Sequence, residues 1–228
     1  MRRGWAGILL GLLGVAGVAA PQAPPAQPPP FWEAKPYGEW TPAETLTILT
    51  DSPWSRAATV VEPGVGQRSG KIRYYAQWYS AQTVREALVR LRNLYGRPNP
   101  EADAQSLAAS PTAYQIFVYA AVFDDNGEFH ALPLDIFDGM TSEELQQAAR
   151  LVFSSQEYSS RPDIVELVPE ARTQRVAGLR LTFERARGAL PPADAGKGQV
   201  RLVCPTRQGS LSVTFQLEQM QHRGQPDL

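Results

Sequence analysis

The sequence predicts an α+β fold, an antiparallel sheet with helices packed mainly on one face, in a single domain covering residues 32–228. Three observations carry that expectation. The last third holds short strand-like segments, "DIVELV", "RVAGLRLTFER", "QVRLVC" and "LSVTFQL", set apart by Pro- or Gly-containing turns. Two amphipathic segments carry recognisable helix ends, one a capping box and the other a glycine stop. "AYQIFVYAAVF" is a nearly unbroken apolar run of strand-favouring residues, as a strand covered on both faces requires. Strands grouped with interspersed helices, without strict βαβ alternation, favour α+β over a parallel sheet.

The folded part begins at "FWEAKPYGEW". In "TPAETLTIL", Thr41 suits the cap, Pro42 the first helical position and Glu44 the third, so a helix runs from 42 to about 50. Asp51 or Ser52 then caps again ahead of Pro53, and "SPWSRAA" reads as a second, tighter helical turn that presses Trp54 against the sheet. "KIRYYAQWY" alternates Ile72, Tyr74, Ala76 and Trp78 against Arg73, Tyr75, Gln77 and Tyr79, the pattern of a half-buried strand. "AQTVREALVRLRNLYG" places Val84, Ala87, Leu88, Leu91, Leu94 and Tyr95 on one helical stripe, with Arg85, Glu86, Arg92 and Asn93 opposite and Gly96 past the end.

Residues 97–112 read as a polar loop with one helical turn at most. "DDNG" is a turn that leads the apolar strand into "EFHALPL" as a hairpin. "TSEELQQAARLVFSS" opens with Thr141 and Glu144 as a capping box and buries Leu145, Ala148, Ala149 and Val152 along one helix. The four final strands then form a meander, with "RGALPPADAGKG" as a long solvent loop.

Composition bounds where the chain works. Residues 1–20 have the form of an export signal: "MRR", an apolar run of about 16 residues, then small residues, a run short of the roughly 20 that cross a bilayer. Residues 21–30 contain six prolines and form an extended spacer. The expected location is periplasmic or extracellular, with a membrane tether if the signal stays uncleaved. Without Arg2 and Arg3 the chain carries 20 basic and 23 acidic residues, net −3, which is no footprint for nucleic acid or an anionic membrane. The lone Cys204 rules out an internal disulfide, so stability must come from an ordinary core.

No stretch fits a recognised reaction centre. In "GVGQRSGKI" the spacing between Gly64 and Gly70 is one residue too long for a phosphate loop, and Ile72 stands where Ser or Thr should hold magnesium. His130 and His222 are far apart and outside any zinc-binding pattern, and Asp124, Asp125, Asn126, Glu128 and His130 read as a polar turn with too few ligands for calcium. Cys204 sits at a strand position where a lone Cys behaves as a small hydrophobe, and "QGSLS" around Ser210 lacks the second glycine of a nucleophile elbow and reads as a hairpin turn. No catalytic residue, metal ligand or cofactor site is therefore assigned. The candidate binding residues are Arg73, Tyr75 and Tyr79 on the outward side of "RYYAQWY", together with Trp54, since Tyr, Trp and Arg dominate recognition hot spots. The alternative for the Tyr75/Tyr79 face is cover by a helix.

Three segments together resemble a family of uncharacterised exported bacterial proteins of the Acidobacteria type. They are a Trp-containing helix ending in S-P-W (Trp40 to Trp54), "WYSAQTVREA" (Trp78 to Ala87) and "FQLEQMQHRGQPDL" (Phe215 to Leu228). The resemblance implies export but supplies no activity and no site residues. The leading expectation is a non-catalytic binding or structural domain of the cell envelope, whose partner is another envelope protein or surface. An envelope hydrolase using distributed carboxylates and a small-ligand carrier are the alternatives.

Overall fold

The computed structural model describes residues 29–62, 66–67, 72–96, 98–123, 129–153, 158–170, 175–184, 198–207 and 209–228. The expected export signal at residues 1–20, most of the expected Pro-rich spacer, "DDNG", most of the Gly64–Gly70 stretch and "RGALPPADAG" lie outside them.

Local sequence fixes the helix starts. The helix α1 (Phe31–Ala34) follows the extended Pro30, and α2 (Pro42–Thr50) opens on Thr41. The Thr41 hydroxyl accepts from the Glu44 amide while the Glu44 carboxylate accepts from the Thr41 amide, the reciprocal pair the sequence predicts. Lys35 donates to the same carboxylate at 2.7 Å and, with the Thr41 amide, holds Glu44 below its ordinary pKa. The helix α3 (Gln82–Tyr95) ends before Gly96. Next comes α4 (Pro100–Ala108), where a loop was expected: Asn99 caps Ala102 and Pro100 takes the first turn, but no apolar stripe advertises the helix. The helix α5 (Ser142–Ala148) opens on the Thr141–Glu144 capping box and stops at Ala149.

The strands are β1 (Ser55–Glu62), β2 (Gly66–Gln67), β3 (Arg73–Trp78), β4 (Ala113–Phe123), β5 (Phe129–Leu132), β6 (Arg150–Phe153), β7 (Tyr158–Ser160), β8 (Ile164–Pro169), β9 (Val176–Glu184), β10 (Gln199–Thr206), β11 (Gly209–Gln216) and the short pair β12 (Gln221–His222) and β13 (Gln225–Pro226). The main sheet is antiparallel throughout, in the order β7-β6-β10-β11-β1-β3-β4-β9-β8, with β2 on β1 and β5 on β4. It curls, and α5 packs against both β8 near one end and β10 near the other. The fold is α+β, as the sequence predicts, but besides α4 three further elements differ from expectation. "SPWSRAA" is not helical: Ser52 and Ser55 bond each other's main chain in a tight turn, and the chain enters β1 at once. "ARLVF" leaves α5 as the strand β6, so Ala148 is exposed and Val152 half-buried. The final strands form two separate hairpins, because β9 pairs with β4 while β10 pairs with β6.

The core lies inside the curl. Alternate residues of β4 (Tyr114, Ile116, Val118, Ala120), β9 (Leu179, Leu181, Phe183), β10 and β11 all point into it. Trp78 sits at its centre, with edge contacts to Tyr114 on β4 and Phe215 on β11 at 5.2 and 5.4 Å. Trp54 is fully buried beside it, its ring edge-on to Trp32 at 5.6 Å and its indole N–H donating to the Asp227 main-chain oxygen at 2.8 Å. Trp54→Ala removes a filled volume and that bond. It should lower the unfolding free energy by about 3–5 kcal/mol in urea titrations. A variant that unfolds at the parent's urea midpoint would contradict this packing.

Candidate functional site

Three stretches distant in sequence, residues 40–54, 78–87 and 215–228, meet at the N-terminus of α3. Ala81 cannot cap the helix with its side chain, so the first amides need an outside acceptor. Asp227 provides it: its two carboxylate oxygens accept from the Gln82 and Thr83 amides at 2.5 and 2.9 Å. A carboxylate there is favoured both by the hydrogen bonds and by the helix dipole. The Asp227 main chain is held as well, its N–H donating to Met220 and its carbonyl accepting from Trp54.

A second polar layer follows along α3. The Thr83 hydroxyl lies 3.2 Å from His222 Nδ1, and His222 Nε2 lies 3.6 Å from Glu86, which also accepts from the Gln82 side chain. Arg85 donates to the main-chain oxygens of Ser106 and Ala109 and to Gln82. Burial holds its guanidinium below the ordinary pKa, against the pull of Asp227 and Glu86. Hydroxyl, imidazole and carboxylate in series resemble a nucleophile and its base. Thr83 is fully buried and Glu86 is 4% exposed, however, so a substrate has no approach and the cluster works as a latch. Sequence reasoning placed Glu86 on the solvent side of α3. Its partner His222 lies in the C-terminal segment, and only the tertiary fold brings them together.

The outward side of β3 and β4 is the second concentration of chemistry. Tyr75 stacks on Tyr119 with centroids 5.3 Å apart, Tyr119 on Phe117 at 6.2 Å, and Phe117 meets Tyr79 at 5.8 Å. Arg180 of β9 lies 5.4 Å from the centroid of the Tyr79 ring and bonds Glu166 of β8 at 3.2 Å. Gly178 leaves room for the Phe117 ring, whose tip would collide with any Cβ there. The end of this ladder nearest Tyr75 is closed. The Tyr119 hydroxyl and the Gln77 amide both donate to Leu49 O, at 2.6 and 2.7 Å, supplying partners for a carbonyl in the last turn of α2. Burial, reinforced by Tyr75, raises the Tyr119 pKa far above that of a free phenol.

Of the sequence-derived candidates, Trp54 and Tyr75 are therefore buried, Tyr79 is half-buried and Arg73 is exposed. Tyr79 joins Phe117 and Arg180 into one surface, which neither Trp54 nor Tyr75 reaches. Phe117, Arg180 and Glu166 were missed because strand pairing alone places them beside "RYYAQWY". Cys204 is buried among β10 and β11 side chains, and burial pushes its thiol up to about 12. Among the described residues no group of His, Cys, Asp and Glu could hold a metal, and no helix is long and apolar enough to cross a membrane.

Among the described residues are two clefts open to solvent. One, of about 410 Å³, lies between β1 and β11; the other, of about 380 Å³, lies beside Trp32, with Glu33 and Glu218 on its walls. Glu33 already accepts from the Arg223 amide in the β12–β13 turn. No family model matches the chain, and no curated protein or solved structure matches it.

Asp227→Ala should cost about 1–2 kcal/mol in thermal or urea unfolding, as loss of a charged cap does. Hydrogen exchange at the first turn of α3 should accelerate more than exchange in β10. A uniform acceleration across the sheet would mean that Asp227 has no local capping role.

Proposed function

We propose that the chain is a non-catalytic binding domain of the cell envelope, exported by residues 1–20 and set off by the Pro-rich spacer at residues 21–30. Its recognition surface is the open end of the aromatic ladder. The observation that carries this reading is the association of half-buried Tyr79 and Phe117 with Arg180 and Glu166 on one sheet face. Tyr and Arg presented together on a rigid sheet lose little side-chain freedom on binding and supply both stacking area and charge-assisted hydrogen bonds. Ile164, half exposed on β8, extends the apolar rim. The latch at α3 supports the same reading from the other side, since it consumes Thr83, His222, Glu86 and Asp227 in internal contacts.

Crosslinking in the intact envelope of the source bacterium should capture a defined partner through a photoreactive residue at position 164, on the rim of this surface. The Tyr79→Ala, Arg180→Ala double variant should lose that partner while keeping the parent's circular dichroism spectrum. Equal capture by the double variant, or no partner at all with the protein abundant, would rule this surface out.

A further inference from the structure

The sheet splits where β1 turns its corner. β1 pairs with β11 at three positions, Thr59 with Ser212, Val60 with Leu211 and Val61 with Ser210, while β11 stays on β10 through Gln216. Residues Ser55 to Ala58 turn away and pair with β3. In an antiparallel ladder each residue directs its N–H and C=O to the same neighbour, and the direction alternates along the strand. The Trp78 amide donates to Trp54 O, which assigns the even-numbered residues of β1 to β3 and the odd-numbered ones to β11. On β11, Ser210 and Ser212 then face β1, and so do Thr214 and Gln216. Pro205 agrees with this phase: it stands opposite Ser210, where β10 directs its main chain away from β11 and no N–H is needed.

Ser55 is occupied by its mutual bonds with Ser52. Ala57 and Thr214 are left with main-chain donors and acceptors that point into the gap beyond the last paired residue, and so is Gln216 with its N–H, its carbonyl opening the 3-10 turn Leu217–Gln219. These three residues line the 410 Å³ cleft with Asp51, Arg56 and Val213. We propose that this cleft binds a short, extended, uncharged peptide segment of another protein, which pairs its main chain with Thr214 and Gln216 and reaches Ala57.

An unpaired strand edge is a template for another strand, and the hydrogen bonds carry the affinity. At ~3.3 Å per residue the edge from Thr214 to Gln216 suits about three residues of ligand. Asp51 and Arg56 set one charge of each sign on the walls, which favours neither an acidic nor a basic segment. The chain's own residues 21–30 are a poor occupant, because their six prolines carry no N–H to donate. The cleft is separate from the aromatic face and does not depend on it.

The test is an amide-resolved NMR titration of the full chain with N-acetyl tri-alanine amide. The amides of Ala57, Thr214 and Gln216 should shift in a dose-dependent way and exchange more slowly. The same peptide N-methylated at all three residues should leave them in place. Unmoved amides at millimolar peptide would overturn the proposal, as would an equal response to the methylated peptide or a response centred on the β8 edge at Ile164. Thr214→Pro deletes one donor and should weaken binding at least tenfold; if that variant does not fold, the methylated peptide alone decides.

Discussion

The carboxylate of Asp227 on the first turn of α3 is the contact on which the rest of the arrangement hangs. A helix beginning with an alanine cap leaves amides that must find acceptors, and here the acceptor comes from the far end of the chain. Holding that carboxylate in place requires the turn β12–β13, in which Arg223 and Gly224 both adopt positive φ, as a two-residue hairpin with this twist demands. It also requires Trp54, whose indole fixes the Asp227 carbonyl. Three stretches distant in sequence are thus tied by hydrogen bonds that pass through a single residue. Contacts of this kind carry the entropic cost of closing long loops, which the surrounding aromatic burial offsets.

The aromatic residues divide between two surfaces with different tasks. On the inner face Trp78 of β3 touches Tyr114 on the neighbouring β4 and reaches Phe215 of β11 across β1, which makes the curl continuous. On the outer face Tyr75 and Tyr119 serve α2, because Leu49 O would lie buried and unpaired without the tyrosine hydroxyl and Gln77. Only past Phe117 does the ladder reach solvent. A strand with aromatics on both sides therefore does not have one core face and one binding face. Its accessible portion is the part that no helix end has claimed.

Helix starts were legible in the sequence because capping is local. Thr41 with Glu44 and Thr141 with Glu144 are read over four residues and found intact in the fold. The α4 helix carried the same local signals, Asn99 and Pro100, but its polar composition hid them behind a loop reading. The turn "SPWSRAA" misled for the opposite reason: Ser-Pro imitates a helix start, while the pairing of Ala57 with Tyr75 that makes it a strand is non-local. The linkage of the last four strands was equally invisible, since hydrophobic alternation gives each strand two faces but not its neighbours. Trp54 was legible as a packing residue. Glu86 was not, because its burial depends on His222, Gln82 and the C-terminal turn together.

The wedge at Trp54 and the cleft between β1 and β11 have a common cause. To place Trp54 in the core and its carbonyl on Trp78, the chain leaves α2 through the reciprocal bonds of Ser52 and Ser55, with the Ser52 hydroxyl closing onto Ile48 O. That turn sends the first half of β1 along β3 and away from β11. Had β1 continued along β11, the register would have set Ala57 against Thr214 and Ser55 against Gln216, and the sheet would have been closed there. Corners at which a strand changes partners are a general way to curl a sheet around a core. Here the corner leaves a strand edge in the interior of the sheet, protected by its narrowness from the long pairings that drive aggregation yet open to a ligand of a few residues. Burial of one tryptophan thereby produces both a closely packed centre and an open edge in the same sheet.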